Sequence, residues 1–239
     1  MRLSDFSVLT FDCYGTLIDW ESGIWQALRP LVALCPSPPA RDAALAAFGV
    51  AESAQERETP GLLYSTLLAL VHGRLAAEWG VAPDAVEAEA FGGSVGDWPA
   101  FSDSAAALAY LKRSYKLVIL SNVHRAGFAG SNRKLGVEFD AVYTAEDIGS
   151  YKPDPRNFRY LLDRLAEQGH RPGDILHVAQ SLYHDHAPAN RAGLASAWID
   201  RRHGADGGAT PPVDATVRYD FRFTSLAELA EAHRAEQRS

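Results

Sequence analysis

Two periodicities divide the chain. The run Phe6-Ser7-Val8-Leu9-Thr10-Phe11 is short, apolar and rich in β-branched and aromatic residues, the pattern of a buried strand, and it ends on a carboxylate at Asp12. From Ile18 to Phe91 the apolar spacing is helical throughout. Ile24, Leu28, Leu31 and Val32 mark one face of a helix over 20–34, stopped by Pro36-Ser37-Pro38-Pro39. Alanine-rich helices are predicted over 40–57, 60–79 and 83–91, and no strand pattern interrupts them. From Phe101 onward helix and strand alternate. Strands are predicted over 116–120, 139–143, 174–179 and 195–199, and helices over 103–113, 124–135, 155–168 and 188–192. A loop over 204–212 precedes a terminal helix capped at or near Ser225 and carrying Leu226, Leu229 and Ala230.

Alternation of this kind predicts an α/β fold with a Rossmann-like parallel sheet covered by helices on both faces. The block without strands is then an all-helical insertion between the first strand and the rest. Residues 1–17 and 93–239 are expected to form the core and residues 18–92 a helical cap, with the glycine-rich stretch 92–97 as the hinge between them. The length of 239 residues suits one core with such an insert.

Composition narrows the function classes. The hydrophobic share of 47% and charged share of 22% are those of an ordinary globular protein. A formal net charge of −7 speaks against nucleic acid or an anionic membrane as partner, so any anionic substrate needs locally placed cations. Cys13 and Cys35 offer no disulfide framework or metal knuckle. The residues from Met1 onward lack a signal-peptide pattern, and no apolar run approaches the ~20 residues that span a bilayer. A cytoplasmic protein is expected.

The candidate chemistry begins at Asp12. A carboxylate at the carboxyl end of a buried strand sits where open α/β sheets bind ligands, Gly15 permits a sharp turn, and Thr16 adds a hydroxyl to the same loop. The alternative is that Asp12 caps a helix starting at Leu17. The heptad Phe11-Asp12-Cys13-Tyr14-Gly15-Thr16-Leu17 resembles the first motif of the haloacid dehalogenase superfamily, D-x-x-G-T, and its D-x-Y-G-T-L form is similar to the 2-haloacid dehalogenase branch. Phosphatases of that superfamily carry a second Asp, as general acid and base, where this chain has Tyr14. An alkoxide leaving group needs a proton, whereas a halide leaves without one.

Further stretches resemble the family's remaining motifs, in order and at strand ends. Ser121 and Asn122 follow the second core strand, where the family holds its substrate anion; by themselves they read equally as a helix cap. Lys152, in Tyr151-Lys152-Pro153-Asp154, resembles the cation beside the nucleophile, a role that lowers a carboxyl pKa and steadies negative charge. The stretch Val178-Ala179-Gln180-Ser181-Leu182-Tyr183-His184-Asp185 departs from the pattern. Gln180 replaces the first acid of the phosphatases, Leu182 replaces an Asn of the well-known dehalogenases, and Asp185 is retained. Ser181, His184 and Tyr183 are candidates to share in holding water or substrate. His184-Asp185-His186 also reads as a metal cluster, which the opposite pointing of adjacent residues disfavours. Rossmann, Walker and Gly-x-Ser-x-Gly motifs are absent.

The resemblance implies a hydrolase that converts short 2-haloalkanoic acids to 2-hydroxy acids through an ester on Asp12. Thr16, Lys152 and Asp185 would assist catalysis, and Tyr14, Ser121 and Asn122 would line the substrate site. The family's cap supplies an arginine and aromatics around the departing halide; the candidates are Arg29 and Arg41 with Trp20 and Tyr64, and Arg57, Arg74 and Trp25 behind them. No cofactor is expected, because Asp12 and Asp185 alone make a poor Mg²⁺ site. The partner is a small-molecule haloacid, and a homodimer is in keeping with relatives. The alternatives are a phosphatase of the same fold acting on a small phosphorylated metabolite with Mg²⁺, and a non-catalytic binding protein.

Overall fold

The structure is a computed structural model that describes residues 1–203 and 216–238. The loop expected over 204–212 lies outside the described residues. Strands β1 (Val8–Phe11), β2 (Lys116–Ser121), β3 (Ala141–Thr144), β4 (Ile175–Ala179), β5 (Ala195–Ile199) and β6 (Phe221–Phe223) form one sheet in the order β3-β2-β1-β4-β5-β6, every pairing parallel. Helices α1 (Trp20–Leu34), α2 (Arg41–Glu58), α3 (Tyr64–Glu78) and α4 (Ala85–Gly93) follow β1 without an intervening strand. The remaining helices are α5 (Ser104–Leu111), α6 (Arg125–Leu135), α7 (Ala145–Ile148), α8 (Pro155–Glu167), α9 (Ala187–Arg191) and α10 (Leu226–Glu236).

The central strands β1, β2 and β4 are buried on both faces, as their apolar runs require, whereas the outer strands β3 and β6 are only partly buried. Alternate residues feed two cores. Val8, Val118, Leu120 and Ile175 pack with Phe158, Leu161 and Leu165 of α8. Leu9, Phe11, Leu117, Ile119, Leu176 and Val178 join a larger core that includes Leu108 of α5, Leu229 of α10, and Ile24, Phe48 and Leu68 of the inserted helices. The chain runs β1, β2, β3 to one side and then β4, β5, β6 to the other, so the order of strands reverses beside β1. Ligands of open α/β sheets bind at such a reversal, at the carboxyl ends of the strands. Phe11 pairs with Ile119 and Val178, which brings the exits of β1, β2 and β4 together.

The predicted bounds of α1 and β5 match the structure, and helix α1 starts where Asp19 accepts a hydrogen bond from the Ser22 N–H at 3.2 Å. The stretch 92–97 differs from the expected hinge. It is helical, with α4 continuing to Gly93 and a 3₁₀ turn over Ser94–Asp97. Gly92 is there for contact: a Cβ on it would lie 2.3 Å from the backbone oxygen of Ser65 on α3. Strand β6, helix α7 and a π-helical turn at Leu182–His186 were not predicted. Among the described residues no helix is long and apolar enough to cross a membrane.

Candidate active site

Asp12 leaves β1 with its N–H bonded to the Val178 oxygen of β4, and the loop behind it turns on Gly15, whose φ of +91° lies in the left-handed region. That turn aims Thr16 back at the strand end. Thr16 Oγ1 donates to Asp12 Oδ2 at 2.7 Å and accepts from the Gln180 N–H at 2.9 Å, tying the β1 and β4 exits together. Asp12 therefore does not act as a helix cap, and it is 6% exposed.

Lys152 reaches the same carboxylate from the opposite side. Its backbone is held by Asn122, whose Oδ1 accepts from the Lys152 N–H at 2.6 Å and whose Nδ2 donates to the Lys152 oxygen at 2.9 Å. The buried ammonium donates to Asp12 Oδ1 at 2.9 Å, Asp185 Oδ1 at 2.6 Å and the Leu120 oxygen at 2.9 Å. All three of its hydrogens are used. Asp185 is set by the π-helical turn, which begins with the Ser181 hydroxyl accepting from the His184 N–H at 3.0 Å. His177 of β4 lies beneath it: Nε2 donates to Asp185 Oδ1 at 3.0 Å, and Nδ1 is 2.8 Å from Thr10 Oγ1.

Two carboxylates share one ammonium, and their titration diverges accordingly. Burial pushes the Asp12 carboxyl above its ordinary value, with Asp185 adding to the rise and Lys152 and Thr16 opposing it. Burial would raise Asp185 as well, but Lys152 and His177 outweigh it and hold that group well below the carboxylate range. Lys152 is depressed by burial and more than restored by the two carboxylates, so it is charged. Burial takes His184 down to about 4, so its imidazole is neutral near pH 7.

A cavity of about 60 Å³ opens onto this set. Tyr14, Trp20, Tyr64, Ser121, Asn122, Ser181 and His184 line it, as the sequence predicts, together with Asp12, Lys152 and Asp185. Thr16 stands behind Asp12 rather than in the lining. The Tyr14 hydroxyl is turned toward Ser131 Oγ at 3.0 Å, and burial holds its pKa well above the ordinary value, so it stays protonated. Arg29 and Arg41 do not reach the cavity. Arg29 is exposed on the outer face of α1, and Arg41, in the first turn of α2, is exposed with Nη2 3.4 Å from Ser22 Oγ. Arg74 is exposed and paired with Glu58. Burial follows the apolar stripe of each helix, and these arginines lie off it. In their place α2 presents Glu52 and Glu56, which sequence reasoning missed; Glu52 follows Leu45 and Phe48 on the inward stripe, the signal that could have found it.

His186 bonds to Ser196 Oγ at 2.9 Å and the Ala179 oxygen at 3.0 Å, away from His184, so the triplet 184–186 is not a metal cluster. Among the described residues no group of three or more His, Cys, Asp or Glu could hold a metal ion. Phosphatases of this fold imply Mg²⁺, but the donors present do not fit it: Gln180 supplies no carboxylate and the Lys152 ammonium bridges the two acids that remain.

A doubly wound parallel sheet with helices inserted after β1 and buried polar groups at its strand exits defines an α/β protein with its site at the switch point of the sheet. The family model for haloacid dehalogenase-like hydrolases matches residues 6–193, and the chain belongs to that family. Among curated proteins it is 30% identical over 135 residues to (S)-2-haloacid dehalogenase 4A of Burkholderia cepacia, covering 54% of this chain and 53% of that one. It is equally 30% identical over 164 residues to the phosphoserine phosphatase of Thermus thermophilus, covering 65% and 61%. The chain thus spans about half to three fifths of the length of these relatives. The structure of L-2-haloacid dehalogenase from Xanthobacter autotrophicus superposes with a TM-score of 0.76 at 19% identity, over 96% of this chain and 98% of that one, a likeness of fold.

Proposed function

We propose that this protein hydrolyses short 2-haloalkanoic acids to 2-hydroxy acids through an ester on Asp12, with residues 18–92 as a cap over a core of residues 1–17 and 93–239. The observation that carries the reading is the buried set Asp12–Lys152–Asp185, braced by Thr16, with Tyr14 where a proton-donating acid would serve an alkoxide. Asp12 attacks the carbon bearing the halogen. The C–O bond forms as the C–X bond breaks, and halide leaves with the electron pair. Lys152 and Thr16 hold the carboxylate in line and prevent its rotation. Water then adds to the ester carbonyl and passes its proton to Asp185 or to neutral His184, both of which line the cavity. Collapse expels the alkoxide, which takes that proton back to leave as the 2-hydroxy acid, and restores the Asp12 carboxylate. Ser121 and Asn122 orient the substrate carboxylate.

Halide release from chloro-, bromo- and fluoroacetate and from both 2-chloropropionate enantiomers, each with and without EDTA, tests this. Turnover of at least one haloacid at a rate unaffected by EDTA is the expected result. Release of phosphate from phosphomonoesters that EDTA abolishes and Mg²⁺ restores, without halide release, would replace this reading with the phosphatase.

A further inference from the structure

The cavity wall formed by α2 is acidic. Glu52 and Glu56 stand one turn apart on α2 and both line the cavity. Glu52 is 8% exposed and accepts one hydrogen bond, from the Tyr64 hydroxyl. Glu56 is reached by Asn122 Nδ2 at 3.4 Å. No ion pair forms at either among the described residues, since the one cation in the lining, Lys152, is committed to Asp12 and Asp185. Like charges at this spacing repel, and half-satisfied carboxylates in a cleft are costly unless a ligand completes them. Burial accordingly raises Glu52 to about 7 and Glu56 well above its ordinary value.

A second observation shows the cavity to be built for a polar ligand. Ser121, 2% exposed, lines it with a buried hydroxyl that has no partner among the described residues, and Asp185 Oδ2 is likewise unpartnered. The donor at Ser121 and the acceptors on α2 lie on walls formed by different parts of the fold, with Asp12 also lining the space. A second cavity of about 220 Å³ adjoins, sharing Glu56, Lys152 and His184 and also lined by Arg57, so there is room for a chain longer than two carbons whose cationic end stays at Glu52 and Glu56.

We propose that Glu52 and Glu56 form a cation subsite, and that the substrate is a 2-halo acid whose chain ends in an ammonium or similar basic nitrogen. The proposal rests on the dehalogenation reading for its electrophile. The substrate carboxylate sits toward Ser121, the halogen-bearing carbon at Asp12, and the cationic end between the two glutamates. An arginine in the first cavity would repel such a substrate, and Arg29, Arg41 and Arg57 are not among its lining residues.

The test compares 4-amino-2-chlorobutanoate with 2-chloropentanoate, in which a methyl group replaces the ammonium, and follows halide release by the full chain. It also compares binding of unreactive 4-aminobutanoate with that of pentanoate by calorimetry. The amino compound should have the higher kcat/KM by on the order of tenfold to a hundredfold, the range for hydrogen bonds to charged groups. Glu52→Gln and Glu56→Gln, each checked for an intact melting transition, should bring that ratio toward one and abolish the preference for 4-aminobutanoate. Halide release from 2-chloropentanoate at an equal or higher kcat/KM overturns the cation subsite and leaves the dehalogenation reading standing. Selective binding of 4-aminobutanoate without halide release from either haloacid overturns the dehalogenation reading and keeps the subsite. Preference for the amino compound that survives both substitutions overturns the assignment to these glutamates.

Discussion

Lys152 is the one buried cation between two acids, and its removal has two separable consequences. Lys152→Met leaves Asp12 and Asp185 facing each other without compensation. Breaking one partner out of a buried ionic set costs about 3–5 kcal/mol. Urea unfolding at pH 7 should show a loss of that size, and turnover should vanish in the fraction that stays folded. Glu52 makes a prediction of opposite character. Its folded-state pKa of about 7 lies above the ordinary 4.5, so the fold favours the protonated form. The stability this group contributes is full below pH 4.5 and is lost as pH rises through about 7, by at most about 3 kcal/mol. The groups facing it are Glu56, Tyr64, Tyr151 and, lining the same cavity, Lys152. Melting temperature measured between pH 5 and 8 should therefore fall more steeply for the native chain than for Glu52→Gln. Parallel slopes would show that the carboxyl is already ionised at pH 5.

At the scale of elements, α3 and α4 approach so closely that Gly92 has no room for a methyl group against the Ser65 oxygen. Backbone cannot step aside as a side chain can, so Gly92→Ala should destabilise by about 1–3 kcal/mol, as overpacking does. A drop in Tm of several degrees with normal halide specificity is the expected measurement. The same glycines explain why 92–97 reads as a hinge in sequence: glycine marks flexibility and close approach alike, and only the neighbouring helix distinguishes them. Strand β6 has three residues, too few for alternation to register, and it forms because β5 offers an edge to pair with. The π-helical turn that sets Asp185 has no periodic signature at all. By contrast β1, β2, β4 and β5 were legible because an apolar run bounded by polar residues determines both the strand and where its side chains end.

Across the whole molecule, that distinction decides how much of the site could be read. Asp12, Ser121, Lys152 and Asp185 come from exits of the sheet or from turns beside them, and their convergence follows from strand order once the parallel sheet is granted. The cap's share was not legible in the same way. The resemblance suggested Arg29 or Arg41, but which face of α2 meets the cleft is set by packing of Leu45 and Phe48, and that face carries Glu52 and Glu56. His177 went unremarked because its partners, Thr10 and Asp185, are brought to it by the β1–β4 register and the turn after β4. The central claim is covalent attack by Asp12, and the fate of oxygen tests it most directly. A single turnover in ¹⁸O-water with enzyme in excess should give hydroxy acid carrying almost no label, because its new oxygen comes from the Asp12 carboxylate, and should place ¹⁸O in the peptide containing Asp12. Fully labelled hydroxy acid with an unlabelled Asp12 peptide would mean that water attacks the carbon itself, contradicting the ester mechanism.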